Sequence, residues 1–350
     1  MVTKPANIVR FDIAFIGFGT VGRGLGDLLL EKRAELKERY GVEWNVVAIS
    51  DIRGGSIMDD RGIDLKEALR LADSRQSVEA LPAQRKGLSA LETIRESSCN
   101  SIAEVTWTNI TDGEPGYSHM NAALSLGKHV ATTNKGPIAL HYRELAKLAA
   151  EKGAKIKFKG TVLSGTPAFN LFDGALAGCS VSSIRGIVNG TTNLILSEMA
   201  KGRGYDEVLK EAQRAGYAEA DPTMDVEGWD AAAKATILAN YFFGTDIKPA
   251  DVNRRGISKI ALSEVEAAKA RGERIKLIAK VEEMGGSVSA EVQPVALPVT
   301  DPLANIAGVT NALTFATDCL GDVTVMGPGA GRRATGYSLL TDLIAISRGL

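Results

Sequence analysis

One feature constrains this chain more than any other: a short apolar run, FDIAFI (residues 11–16), ends directly in the glycine cluster GFGTVG (residues 17–22). Behind the glycines Leu25, Leu28, Leu29 and Leu36 follow at helical spacing, with charged residues on the opposite face, until Gly41 ends the pattern. A second apolar run, VEWNVVAISD, then carries Val46, Val47, Ala48 and Ile49 in succession. Strand, glycine turn, helix and strand in that order are the βαβ unit of a parallel sheet. Gly17, Gly19 and Gly22 have the spacing GxGxxG at the strand-to-helix turn. In that pattern the first glycine permits the tight turn, the second lets the backbone approach a pyrophosphate, and the third lets helix and strand pack closely. The helix N-terminus adds N–H donors and the positive end of its dipole. Gly17, Phe18, Gly19, Thr20, Val21 and Gly22 are therefore expected to form a dinucleotide-binding loop.

Asp51 closes the second run, where an acid takes the ribose hydroxyls of NAD. Arg53, two residues on, is placed equally well to meet the 2′-phosphate of NADP, so the sequence leaves NAD and NADP both open. Either residue also reads as a solvated loop charge.

Further along, AEVTWTNIT and HVATTN predict strands, and HMNAALSLGK and YRELAKLAAEKG predict helices. The polar stretch from about Ile57 to Ser98 shows helical spacing around LKEALRLA and GLSALETIRE. Residues 1–155 thus alternate strand and helix, as a Rossmann-type parallel sheet does. From residue 156 to 330 the pattern becomes α+β. KIKFKGTVLS and SVSSIRGIVNGTT are expected strands, and DEVLKEAQRAG and GWDAAAKATILANYFFG expected helices. Strand pairs follow in GSVSAEVQPVALP and in NALTFATDC into DVTVMGPG. The last helical stretch, residues 331–350, is expected to return to the first domain. The fold class is α/β, a Rossmann-type parallel sheet plus a second α+β domain.

Composition narrows the partners. The chain has 350 residues, more than twice the commonest domain size. Forty-one basic residues against forty-two acidic ones leave a net charge of -1, which argues against nucleic acid or a membrane surface as partner. Cys99, Cys179 and Cys319 are too far apart in sequence for a CxxC knuckle or a disulfide framework, and His119, His129 and His141 form no HExxH helix. His129 and His141 flank TTNKGP and are expected to be structural. No signal peptide or apolar membrane span is visible, so a cytoplasmic protein is expected.

Longer words of the sequence carry a resemblance. TTNKGPIALHYREL, GIVNGTTNLIL, AGYAEADPTMDVEGWDAAAKATILA and GPGAGRRATGYSLLTDLI together resemble homoserine dehydrogenase, in the right order and over nearly the whole chain. The AEADP…D…GxDAAxK segment is the most specific of them. The resemblance implies an N-terminal NAD(P)-binding domain and a substrate-binding and dimerisation domain. It implies interconversion of L-homoserine and L-aspartate 4-semialdehyde by hydride transfer with NAD or NADP, in threonine and methionine biosynthesis, by a homodimer. The chain stops soon after GPGAG, which matches a short form without a regulatory domain.

Reduction of an aldehyde by hydride needs a donor to the carbonyl oxygen, and the reverse reaction a proton acceptor. Lys234 lies among alanines and aliphatics, with Asp230 four residues earlier on the same helix face. A surface ion pair is the bland reading; by resemblance Lys234 is the proton donor and acceptor, with Asp230 beside it. Lys135 follows a strand at the sheet's carboxyl edge, where open α/β sheets bind ligands, and resembles the family lysine near nicotinamide and substrate, with Thr133 also on the cofactor side. An amino-acid substrate needs anions for its ammonium group. The resemblance assigns Glu219 and Asp225 to it, Asn189, Gly190, Thr191 and Gly216 to the substrate turn, and Gly329 and Gly331 to the nicotinamide side. A solvated acidic loop is the alternative for Glu219 and Asp225. Trp229, Phe242 and Phe243 read as core or dimer packing.

One departure stands out. Family members bind a monovalent cation through a glutamate and nearby carbonyls, and here Lys159 stands in that glutamate's place. The carbonyls of Val162, Ser164 and Thr166 remain weak candidates, but no metal is expected. This substitution and the basic pair Arg332–Arg333, placed to take extra negative charge, leave a sibling NAD(P)-dependent dehydrogenase of another small amino or hydroxy acid as the alternative function.

Overall fold

The FDIAFI run forms the inner part of β1 (Val9–Ile16), where Ile13 to Ile16 are fully buried, as a strand covered on both faces requires. The computed structural model describes residues 8–350. The chain divides into two compact units, residues 1–165 with 331–350 and residues 166–330.

In the first unit β1 pairs in parallel with β2 (Val42–Asp51) and with β5 (Ser101–Glu104), and β6 (His129–Thr132) and β7 (Ile156–Lys157) continue the parallel run. Two antiparallel strands, β3 (Gly55–Met58) and β4 (Arg85–Lys86), extend the other edge, so the order is β4-β3-β2-β1-β5-β6-β7. The polar segment gave no sign of these two. They are short, and β4 is exposed, so no apolar alternation marks them.

The helical stretch after the glycines is two helices, Thr20–Glu31 and Arg33–Tyr40, broken at Lys32 (φ −101°, ψ 14°) and ended by Gly41 in the left-handed region. Of the expected strand AEVTWTNIT only Ala103 and Glu104 lie in β5, because Glu104 is buried at its end and the chain then leaves the sheet as Thr106 N and Oγ1 turn back onto its carboxylate. The helix expected from Tyr142 starts at Lys135 and runs to Glu151 with a break at His141.

KIKFKGTVLS is a strand only over β7. Gly160 then packs so closely under Ser338 and Thr133 that a Cβ would lie 2.2 Å from Ser338 Oγ, and the chain turns into the short helix Gly160–Leu163. These contacts hold the segment in the first unit, which ends at Gly165 rather than near residue 155.

The second unit carries a six-stranded sheet. β8 (Val181–Ile187), β9 (Asn253–Arg254), β10 (Glu273–Met284), β11 (Ser287–Pro298), β12 (Thr310–Thr317) and β13 (Gly321–Pro328) lie in the order β13-β12-β8-β10-β11-β9. All pairings are antiparallel except β11 with β9. The helix Trp229–Phe242 packs on β10 and β11 and is buried at every residue from Ala231 to Asn240, as its alanine-rich sequence, apolar on most sides, favours. The strand expected through NGTT stops at Ile187, because the Asn189 side chain caps a new helix, Gly190–Met199. Among the described residues no helix is long and apolar enough to cross a membrane.

The C-terminal helix Arg332–Ser347 returns to the first unit and packs along Thr20–Glu31. Leu339, Leu340, Leu343 and Ile346 join Phe15, Leu25 and Leu29 in one core. The crossing depends on two glycines. A Cβ on Gly24 would stand 2.0 Å from Arg332 O, and one on Gly336 2.3 Å from the Gly24 carbonyl carbon. Gly336→Val should therefore cost about 3 kcal/mol, the upper end for overpacking, read as a lower urea midpoint. Gly174→Ala, whose added methyl would meet nothing within 4 Å, should leave the midpoint in place.

Candidate active site

At the first unit's carboxyl edge the three loop glycines have different reasons. Gly17 has φ +93°, and a Cβ there would lie 2.7 Å from Val105 O. A Cβ on Gly22 would lie 2.8 Å from Gly17 O, the close helix–strand packing expected of it. Gly19 has neither a positive φ nor any atom within 4 Å of a Cβ. It is the N-cap of Thr20–Glu31, and no side chain caps that helix. The open space before an uncapped helix end fits a pyrophosphate. Phe18 is buried edge-on against Phe15, Thr20 is exposed in the first turn, and Val21 packs on the core. Asp51 pins this loop: one carboxylate oxygen accepts from Phe18 N at 2.8 Å, the other from Arg53 N at 2.9 Å and Gly54 N at 2.7 Å. Arg53 is exposed beside it.

Lys135 opens the helix after β6, and Thr133 is half-buried just before it. A hydrogen-bonded network sets this turn. Asn134 caps the helix, its N–H donates to Thr132 Oγ1 at 3.0 Å, and its amide donates to Trp107 O at 3.2 Å. Thr132 Oγ1 donates to Glu104 O at 2.7 Å. Glu104 and His119, 3.4 Å apart, are buried behind it. The sequence showed neither as part of a site; an acid inside an apolar strand was the only signal.

In the second unit four predicted residues meet. Asn189, at the carboxyl end of β8, accepts from Thr192 N at 2.9 Å and Thr192 Oγ1 at 3.0 Å through its Oδ1. Its Nδ2 donates to Asp225 at 2.7 Å and to Asp230 at 3.0 Å, so the amide's four sites are all used and its orientation is fixed. Lys234 Nζ lies 2.8 Å from Asp230 and donates to Val188 O at 2.6 Å. Lys234 is buried, with 7 % of its surface exposed. A charge so placed needs both a counter-ion and hydrogen bonds to its remaining donors, and both are present. Burial and the neighbouring Asp230 push the Asp225 carboxyl up from the usual range. Thr191 Oγ1 donates to Tyr217 O at 2.8 Å, tying the helix start to the next loop.

Gly190 begins that helix where a Cβ would lie 2.9 Å from Val309 O, and Gly216 ends the preceding helical segment in the left-handed region (φ +77°). Glu219 stays outside the hydrogen-bonded cluster: it is exposed, and its main-chain carbonyl, not its carboxylate, accepts from Gln213.

Comparison with known proteins matches this arrangement to one family. The family model described as homoserine dehydrogenase matches residues 167–344. The chain is 42% identical over 340 residues to the NAD(+)-dependent homoserine dehydrogenase of Pseudomonas canavaninivorans, covering 97% of each chain. It is 39% identical over 336 residues to homoserine dehydrogenase of Methanocaldococcus jannaschii, covering 96% of this chain and 98% of the other. The chain belongs to the homoserine dehydrogenase family. Among solved structures, a putative homoserine dehydrogenase from Archaeoglobus fulgidus superposes with a TM-score of 0.86 at 38% identity, over 96% of this chain and 99% of that one. A hyperthermophilic archaeal homoserine dehydrogenase in complex with NADPH superposes with a TM-score of 0.82 at 33% identity, over 98% and 99%.

Three further placements are set by contacts within each unit. Arg332 and Arg333 are both met by acids. Arg332 is paired with Asp27 at 2.8 Å and Asp73 at 2.7 Å, and Arg333 with Glu31 at 2.6 Å. Gly329 lies where a Cβ would stand 2.2 Å from Asn311 Nδ2, so a packing contact within the second unit already requires glycine there. Gly331 has φ +124° and begins the C-terminal helix.

The segment around Lys159 holds the third. Val162 is buried, Thr166 Oγ1 donates to Pro328 O at 3.2 Å, and Ser164 takes a positive φ of 54°, rare for a residue with a Cβ. The Ser164 hydroxyl meets Thr335 Oγ1 at 2.7 Å. Lys159 N donates to Asp342 Oδ2 at 3.2 Å, while the other oxygen of Asp342 has no hydrogen-bond partner.

Asp342 was missed in the sequence, where it is one acid in an apolar helix. It is fully buried, and burial pushes its carboxyl up to about 8 against the opposing pull of Lys159 and Lys157. Its unfolded value is about 3.9, so the fold holds a proton that the unfolded chain has released. Stability from this group is full below about pH 4 and is lost as pH rises toward about pH 8. The urea midpoint of Asp342→Asn should gain on the wild type as pH is raised from about 5 to about 8, and parallel curves would count against it.

Proposed function

We propose that this chain is an NAD(P)-dependent homoserine dehydrogenase, interconverting L-homoserine and L-aspartate 4-semialdehyde and acting in the cytoplasm as a homodimer. The observation that carries the reading is the Asn189–Asp225–Asp230–Lys234 cluster, with two carboxylates and one ammonium at the end of β8. That excess of one negative charge suits an amino-acid substrate. Its ammonium group would offset the burial and the repulsion from Asp230 that raise the Asp225 carboxyl above its usual range.

In this reading Asp225, with Glu219 from the nearby loop, takes the ammonium group, and Asn189, Gly190, Thr191 and Gly216 shape the turn around the substrate. Lys234 gives a proton to the aldehyde oxygen in reduction and takes it from the alcohol in oxidation. Asp230 and Val188 O hold the Lys234 Nζ in place for that transfer. Lys135 is assigned to the reacting group's surroundings at the cofactor edge, with Thr133, Gly329 and Gly331. The nicotinamide, when bound, supplies or accepts the hydride. The loop Gly17–Gly22 holds its pyrophosphate and Asp51 its ribose, a fit supported by the open space at Gly19. The aromatic cluster of Phe169, Phe172, Tyr241 and Phe242, half-buried at the last three, is the surface assigned to self-association, and light scattering should report two copies.

L-Homoserine should be oxidised with NAD or NADP, followed by nicotinamide absorbance. Turnover of a related hydroxy amino acid but not of homoserine would move the reading to a sibling dehydrogenase. Lys234→Ala should lower kcat by on the order of 10²–10⁴-fold while the variant remains folded by circular dichroism. A kcat close to wild type would remove its assigned role. Because Asp51 puts a carboxylate at the end of β2, kcat/KM should favour NAD over NADP. The opposite preference would assign the 2′-phosphate to Arg53.

A further inference from the structure

Cys179 and Cys319, 140 positions apart, meet with Asp318 at one edge of the second unit: the two Sγ atoms and a carboxylate oxygen all lie within 4.8 Å of one another. The sheet causes this. β8 and β12 are antiparallel with Thr317 opposite Val181, and the pairing continues past the strand ends, where Asp318 N donates to Ser180 O at 3.1 Å. The next residues in register are Cys179 and Cys319 themselves.

The frame is held from both sides. Ser180 N donates to Asp318 Oδ1 at 2.9 Å. Thr317 Oγ1 donates to Gly321 O at 2.9 Å and accepts from Leu320 N at 3.0 Å, closing the β12–β13 turn. Cys319 and Asp318 are exposed and Cys179 half-buried, so the group is open to solvent. β8 separates it from Asn189; its seven residues at ~3.3 Å each put roughly 20 Å between the two.

We propose that Cys179, Cys319 and Asp318 form a binding site for one thiophilic divalent cation of the zinc class, outside the catalytic machinery. Two thiolates and a carboxylate, with water as the fourth ligand, are a soft donor set that selects such an ion over magnesium or calcium. At metal–sulfur distances of about 2.3 Å a tetrahedral ion needs its sulfurs roughly 3.8 Å apart, within reach of the present spacing by small side-chain rotations. The Asp318 carboxylate and Cys179 beside it push the Cys319 thiol up to about 11. The Cys319 thiol therefore enters the site protonated near neutral pH. Binding the cation through two metal–sulfur bonds releases thiol protons into solvent, so affinity rises with pH.

Cobalt(II) titrated into the full, reduced chain is the test, with free thiols counted beforehand. One equivalent should bind per chain with thiolate-to-cobalt charge-transfer absorption and tetrahedral d–d bands, and zinc, not magnesium, should displace it. Cys179→Ser and Cys319→Ser should each abolish the charge-transfer band, Cys99→Ser should keep it, and Asp318→Asn should weaken binding at least about tenfold. Homoserine oxidation by the Cys319→Ser variant should match wild type. If a serine variant fails to fold, alkylation of exposed Cys319 in the folded wild type should remove the band instead. No charge-transfer band with both thiols reduced, a band that survives in both cysteine variants, or an unchanged affinity in Asp318→Asn would each overturn the site.

Discussion

The contact between Gly24 and Gly336 decides how the chain is arranged. The first unit is built from two separate stretches of sequence, and the later one must come back after the whole second unit has been made. The return is fixed by backbone meeting backbone: Arg332 O over Gly24 and Gly24 over Gly336, with no side chain interposed. That approach lets Leu339, Leu340 and Leu343 reach the layer formed by Leu25 and Leu29. Arg332 then closes the polar end of the crossing with Asp27 and Asp73, and Arg23 shares Asp73 at 2.7 Å. These exposed ion pairs add little energy but define the register of the two helices. The helix so placed is the one that opens at the dinucleotide loop, so the crossing and the loop share an element.

The second unit solves a different problem, that of keeping a lysine inside an alanine helix. Lys234 would be expelled from such surroundings without Asp230 one turn before it and Val188 O at the end of β8. Asp230 in turn sits in the first turn of its helix, where the dipole favours a carboxylate. Asn189 completes the arrangement because an amide, with two donors, can bridge two carboxylates that would otherwise repel. Asn189, Asp230 and Lys234 each touch more than one other member, which makes the cluster a unit and not a set of independent contacts.

What the sequence disclosed follows from how each feature is made. The glycine loop is a backbone device, and its demands appear as glycine at fixed spacing; Gly17 and Gly22 turn out to be required by Val105 and by Gly17 O, and Gly19 has no atom within 4 Å of a Cβ. Long apolar runs gave β1, β2 and the Lys234 helix, whereas β3 and β4 are too short, and β4 too exposed, to mark a polar stretch. Lys234 and Asp230 were legible as a spacing of four, but their partner Asn189 lies 41 positions before Asp230 with several helices between and was visible only through the family resemblance. Glu104, Asp342 and the Cys179–Cys319 pair could not be read at all, because each depends on strand order or on the return of the last helix.

Burial also explains why the acids fall into two groups. Asp51 and Asp230 are each met by N–H donors or a cation, so an anion is accommodated where it stands. Asp225 and Asp342 are pushed toward the protonated form, the first by burial beside Asp230, the second by complete burial with one oxygen unpartnered. A fold keeps such groups only where something other than the bare chain settles them. For Asp342 the opposing charges are already in the chain, at Lys157 and Lys159, and they only partly offset its burial. For Asp225 the opposing influences, the Asn189 amide and the Lys234 ammonium paired with Asp230, do not outweigh burial and the Asp230 charge, so its carboxyl stays above the usual range.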